Sequence, residues 1–221
     1  MFHDIPDVLT ANELAQLRAI AAATTFVDGR ASAAGSPVKN NVQIGERNAL
    51  QQSAQIVTQA LYRNEDFRVF AFPKLMTPPI LTRYDTGMHY GLHVDAAFMQ
   101  IGERAVRSDL SCTIFISDES EYEGGALRIR LGALDVRIKG KAGSAIVYPS
   151  TSIHEVEPII SGSRLIALTF IESRIVNSEQ REWLFELNEI SAIAGNKMDR
   201  DTYTRLQRVR ENLLRYWSNA D

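Results

Sequence analysis

The chain contains a single cysteine, Cys112. No disulfide framework can form within it, which fits a reducing compartment such as the cytoplasm. Cys112 lies in the apolar run Ser111-Cys112-Thr113-Ile114-Phe115-Ile116 and reads as a small buried hydrophobe rather than a nucleophile. Nowhere do about 18 apolar residues follow one another, so no transmembrane helix is expected. The start, Met1-Phe2-His3-Asp4-Ile5-Pro6, lacks the basic region and long apolar stretch of a signal peptide. An excess of charge is also missing. The net charge is -3 and the pI about 5.9, so no global field favours nucleic acid or an anionic membrane. No internal repeat or low-complexity tract is present. Histidine is scarce, with four in 221 residues.

What remains is an ordinary globular composition, 45% hydrophobic and 23% charged. That bounds the chain to one domain, or one domain with a small appendage. Thr10-Ala11-Asn12-Glu13 is a capping box, and Leu14, Leu17, Ile20 and Ala21 follow at helical spacing. A second helix is expected over about Ala49 to Tyr62, and Ala31 to Pro37 reads as loop. From about Phe70 to Arg174 the pattern turns to short β-rich runs: Ile80–Tyr84, Leu110–Ser117, Leu127–Leu131, Leu134–Ile138, Ala145–Tyr148, Ile153–Val156 and Leu165–Ile171. Strands so spaced, without intervening helices, predict an all-β barrel or a two-sheet jelly roll, with Gly124-Gly125 and Gly132 at tight corners. Helical periodicity returns after Asn177, whose pairing with Gln180 predicts a cap. That helix runs to about Ile193, and a last one carries Tyr203, Leu206, Val209, Leu213 and Trp217 on one side. The organisation expected is residues 1–69 as a helical and loop segment packing on the barrel, 70–175 as the jelly-roll core, and 176–221 as a C-terminal helical extension. Covering the barrel, homo-oligomerisation and partner recognition are all open uses for that extension.

The chemistry-bearing pattern is His93-Val94-Asp95 with His154 and Arg164. Four histidines and twelve aspartates predict about 0.2 His-x-Asp pairs by chance, so the pair alone carries little. Position adds to it. In a strand, residues i and i+2 share a face, so His93 and Asp95 would project together into a barrel mouth. His154 opens another expected strand after Pro149-Ser150-Thr151-Ser152. Two imidazoles and a carboxylate form a three-point site with open positions, which favours iron(II). Arg164 would lie on the rung next to His154 if the two strands form a hairpin across Ser161-Gly162-Ser163, and its fork matches a carboxylate. Either Tyr84 or Tyr90 could donate to the same acid. His89 and His3 are set aside as structural, His3 in a terminus expected to be mobile.

Three stretches carry a resemblance. Tyr84-Asp85-Thr86-Gly87-Met88-His89-Tyr90-Gly91-Leu92-His93-Val94-Asp95 resembles the metal-binding strand of prolyl-hydroxylase-like iron(II)/2-oxoglutarate dioxygenases. Glu123-Gly124-Gly125-Ala126-Leu127 resembles their glycine turn, and Val147 to Val156 with Gly162-Ser163-Arg164 resembles their distal histidine and 2-oxoglutarate arginine. Val27-Asp28-Gly29-Arg30-Ala31 and Val38-Lys39-Asn40-Asn41 are similar to the early segment of bacterial PKHD-type hydroxylases, so the likeness spans about Val27 to Arg174, with a similar helical tail.

The resemblance implies a mainly β fold with flanking helices, built on a double-stranded β-helix (jelly roll). It implies iron ligands at His93, Asp95 and His154, the 2-oxoglutarate C5 carboxylate at Arg164, and help from Tyr84. The activity implied is hydroxylation of an unactivated C–H bond with O2, releasing succinate and CO2, with L-ascorbate as an accessory reductant. A small molecule or a protein side chain are both open as substrate. Ala96 and Met99 stand where the family has Asn and a basic residue, Phe170 where Trp is common, and Glu172 where Gln is common. These departures leave the metal set intact and fall where substrate contacts are expected. Two other classes remain open from sequence: a cupin-like oxygenase that uses no 2-oxoglutarate, and a non-catalytic sensor module that binds metal or 2-oxoglutarate.

Overall fold

Thr10 accepts from the Glu13 amide while Glu13 reaches back to the Thr10 amide, and this reciprocal cap starts the first helix. The computed structural model describes residues 1–32 and 36–218. Residues 1–72 supply strand β1 (His3–Ile5), helix α1 (Ala11–Ala23), β2 (Phe26–Asp28), β3 (Lys39–Asn40), β4 (Val42–Ile44), α2 (Arg47–Arg63) and α3 (Glu65–Ala71). Then come β5 (Pro73–Met76), β6 (Ile80–Asp85), β7 (His89–His93), β8 (Phe98–Ile101), β9 (Arg104–Arg107), β10 (Leu110–Phe115), β11 (Tyr122–Gly124), β12 (Leu127–Leu131), β13 (Leu134–Ile138), β14 (Ala145–Pro149), β15 (His154–Val156) and β16 (Ile159–Ser173). The chain ends in α4 (Ser178–Ala194) and α5 (Arg200–Trp217). Among the described residues no helix is long and apolar enough to cross a membrane.

Two antiparallel sheets face one another as a jelly roll. The larger runs β1-β14-β10-β16-β6-β4-β2, with β5 and β11 also paired to β16; the smaller runs β13-β12-β15-β7-β3. Residues 1–69 therefore do more than pack on the barrel, since they add strands to both sheets. The early loop expectation meets a short 3-10 turn at Gly29–Ser32. Its residues 33–35 lie outside the described ones.

Alternation in the central strands divides the core in two. On β10, Cys112 and Ile114 face one side with Leu81, Val147 and Ala167, where Leu17, Val57, Leu61 and Phe67 of the helices cover them. On the opposite face, Phe115, Ile146, Tyr148 and Ile166 meet Leu127, Ile129 and Val156 of the small sheet inside the barrel. Arg164, two residues before Ile166, falls on this inner side, directly opposite Tyr84.

The expected hairpin across Ser161-Gly162-Ser163 does not form. β16 is one continuous strand, and β15 pairs with β12 and β7 instead. Ser-Gly-Ser resembles a turn, yet Gly162 serves a kink with φ +78, where β16 passes from β11 to β6. A Cβ there would stand 2.3 Å from the Glu121 carbonyl oxygen. His154 and Arg164 thus lie on facing sheets, not on neighbouring rungs. His3 is held too: it pairs with Val147 and stacks on Phe70 at 4.7 Å.

Candidate active site

His93 ends β7 and His154 begins β15, and the two are direct cross-strand partners in the small sheet. Between the pairs Tyr90–Val156 and His93–His154 the register slips, because β7 advances three residues while β15 advances two. This bulge brings Tyr90 to the side of His93, and their rings stack at 3.6 Å. Asp95 lies beyond the strand, so the shared-face argument does not reach it. The chain leaves the sheet after His93, and Asp95 crosses to the facing sheet. There Ser111 Oγ of β10 donates to its Oδ2 at 2.5 Å. Ser111 in turn contacts Ser150 Oγ at 2.7 Å, and Ser108 Oγ donates to Ser150 at 2.8 Å.

His93, Asp95 and His154 converge, their ligand atoms all within 4.8 Å of one another. His93 Nδ1 lies 2.7 Å from the Gly91 carbonyl and His154 Nδ1 2.9 Å from that of Ser152. A carbonyl only accepts, so each Nδ1 carries the proton and each Nε2 presents a lone pair. Those Nε2 atoms stand 3.9 and 3.7 Å from the Asp95 carboxylate, too far for hydrogen bonds. Burial, with His154 beside it, lowers the His93 pKa to about 4, which favours the neutral, ligating form. Burial raises that of Asp95, against the opposing pull of His154 and the Ser111 hydrogen bond. Three donors aimed at one point, with no proton between them, fit a divalent cation. Two imidazoles and a carboxylate suit non-haem iron(II).

Arg164 is 1% exposed, and its Nε and both terminal nitrogens find no hydrogen-bond partner among the described residues. Its neighbours are the rings of Tyr84, at 5.3 Å, and Phe115, at 5.8 Å. The guanidinium also lies near the Tyr122 hydroxyl, without hydrogen-bond geometry, and counters the upward push of burial on that phenol. A buried guanidinium without an anion is costly, so this end of the barrel fits a carboxylate brought by a ligand. Burial also raises the Tyr84 pKa, leaving its phenol protonated and able to donate. Lys39 and Ser111 were not singled out from sequence. The signal for Ser111 was available: Ser111 and Thr113 are polar residues alternating inside an otherwise apolar central strand.

The fold and this site define a 2-oxoglutarate- and iron(II)-dependent oxygenase, and residues 79–172 match the 2OG-Fe(II) oxygenase superfamily. The chain belongs to the PKHD-type hydroxylase family. It is 50% identical to a PKHD-type hydroxylase of Sphingopyxis alaskensis over 95% of this chain and 96% of that one. A PKHD-type hydroxylase of Thermosynechococcus vestitus is 39% identical, over 99% of each chain. Among solved structures, a Pseudomonas putida prolyl-4-hydroxylase superposes with a TM-score of 0.54 at 19% identity, over 78% of this chain and 92% of that one. The protein is thus an iron(II)/2-oxoglutarate-dependent dioxygenase that hydroxylates its substrate, and its cofactors are Fe(2+) and 2-oxoglutarate.

Proposed function

We propose that His93, Asp95 and His154 hold the iron and that Arg164, with Tyr84, receives the far carboxylate of 2-oxoglutarate. The observation that carries this reading is the Arg164 guanidinium, without a hydrogen-bond partner among the described residues and buried inside the barrel in which the three donors converge. Bound iron(II) and 2-oxoglutarate supply the oxidising power: O2 is spent in converting the co-substrate to succinate and CO2 and in placing a hydroxyl on a C–H bond. The protein ligates, orients and excludes water. Ser111 orients the Asp95 carboxylate, and the Gly91 and Ser152 carbonyls fix the two imidazole tautomers. Arg164 would hold the co-substrate's distal carboxylate in a forked, charge-assisted contact and so help to orient it. With a carboxylate at Asp95 as third ligand, no position would be left by its absence for a halide, which favours hydroxylation over halogenation.

L-Ascorbate is proposed as the reductant that sustains turnover, and the cytoplasm as the location, in keeping with the single buried cysteine. The substrate is a small molecule or a protein side chain; nucleic acid and membrane are not expected partners. Exposed Trp183, Ile190 and Ile193 on α4 suit a homo-oligomer contact through the C-terminal helices.

The test is succinate formation with iron(II), 2-oxoglutarate and ascorbate. The wild type should produce succinate and Asp95→Ala should not; unchanged turnover in the variant would sink the ligand assignment. Cell extract incubated with the active enzyme should then gain a product heavier by one oxygen atom, absent with Asp95→Ala.

A further inference from the structure

The inner face of the small sheet can be followed strand by strand. Cross-strand pairing sets Val136, Ile129, His154 and His93 in one row across β13, β12, β15 and β7. β3 adds a fifth strand beyond β7 and places Lys39 opposite Tyr90. Directly paired residues share a face, so Lys39 lies on the side of Tyr90 and His93. Its Nζ stands 5.4 Å from the Tyr90 ring centroid, and that ring stacks on His93. The hydrogen-bond partner of Nζ is neutral, Ser32 Oγ at 3.0 Å. The carboxylates that feel its charge are Asp95 and Asp28. Asp95 is assigned to the metal, and Asp28 is engaged by Arg30.

A charge count follows from the proposed ligation, on which this inference rests. 2-Oxoglutarate brings two negative charges and iron(II) two positive ones, while Asp95 and Arg164 offset each other. Lys39 is then a half-buried cation in excess beside the metal corner, and a partly desolvated cation gains most from an anion.

The opposite edge of the same face is apolar. Leu127 and Ile129 are buried, and the row they begin continues through Leu131, Leu134 and Val136, which emerge into solvent, Leu134 to 71%. The outer face of this hairpin is instead laced with ion pairs, Arg128 to Asp135 and Glu155, and Arg137 to Glu157. The uncovered hydrophobes are therefore on the face that carries His154. Four strand spacings, about 19 Å, separate β3 from β13.

We propose that Lys39 anchors a carboxylate of the primary substrate, and that Leu131, Leu134 and Val136 carry its apolar body, with the bond to be hydroxylated held between them over His93 and His154. The substrate class is an amphipathic carboxylic acid.

The test titrates N-octanoylglycine and its uncharged amide into enzyme loaded with Mn(II) and 2-oxoglutarate, by calorimetry. The acid should bind at least tenfold tighter than the amide. Lys39→Met should erase that preference while leaving 2-oxoglutarate binding unchanged, and Leu134→Asp should weaken acid and amide alike. Melting temperatures confirm that both variants fold. No binding of the acid, or equal binding of acid and amide by the wild type, overturns the proposal. So does loss of 2-oxoglutarate binding in Lys39→Met, which would place Lys39 on the co-substrate. Absence of metal-dependent 2-oxoglutarate binding in the wild type would instead overturn the ligation beneath it.

Discussion

Where the three proposed metal ligands converge, each side chain leans on the protein: His93 on the Gly91 carbonyl, His154 on that of Ser152, Asp95 on the Ser111 hydroxyl. Elsewhere inside the same barrel, Arg164 is more deeply buried than His93 and Asp95, yet has only aromatic neighbours and no hydrogen-bond partner among the described residues. The difference separates two ways of building a site. Donors that must meet at one point need outside partners to hold their directions. A cation in the role proposed for Arg164, receiving a doubly charged co-substrate, is more useful unpaired, because any internal carboxylate would compete with the ligand. The cost is borne by the folded protein while the co-substrate is away.

The sharpest way to break the comparison is Arg164→Met. Losing a buried partner to a carboxylate should weaken 2-oxoglutarate by about 2–5 kcal/mol, roughly 30- to 5,000-fold in Kd. The ligand-free protein should melt no lower than the wild type, because an unpaired buried charge has gone. A large fall in the ligand-free melting temperature would show that Arg164 is structural. Ser111→Ala probes the other end. It leaves the ligands in place but frees the Asp95 carboxylate to turn, and metal affinity should drop about ten- to a hundredfold with 2-oxoglutarate affinity at saturating metal unchanged. Metal titration followed by co-substrate titration separates the two.

The smallest effect is expected at a paired group remote from both ends. Arg63, donating to Glu13, holds that carboxyl at about 2, below its ordinary 4.5. Between those values the unfolded chain takes up a proton that the folded chain does not, so stability falls with falling pH. The pair's contribution should be complete above about 4.5 and lost as pH falls toward 2. Glu13→Gln should flatten the stability profile over that window, measured by denaturant unfolding, and leave both ligand affinities alone.

Much of this arrangement is legible in the residues themselves. The caps at Thr10 and Asn177 announce helices because the hydrogen bonds are local. Strands such as β6, β10 and β12 stand out because five or six residues rich in β-formers between turn signals carry their own pattern, wherever their partners lie. The strands β1 to β4 do not, since two or three residues have no period and their partners lie far along the chain, as β1 on β14 shows. Scarce histidines made His93 and His154 visible. Asp95 was visible as well, though its direction comes from leaving the strand rather than following it. The helix α3 was missed: the expected second helix stops at about Tyr62, and the seven residues after the shared cap Asn64 are too few to show a helical period. Lys39, though part of the similar stretch Val38-Lys39-Asn40-Asn41, was given no role, because a lone lysine means nothing until β3 is laid beside β7.

The two halves of the site also differ in durability. β16 has fifteen residues and is paired with β10, β6, β11 and β5, so Arg164 rides on the most thoroughly tied strand of the molecule. His154 and His93 sit at the ends of strands of three and five residues. Local opening should start at those short strands. On the proposed ligation, an ageing enzyme would then shed its iron while the cradle proposed for its co-substrate still stood, and such damage could be repaired by resupplying the metal alone.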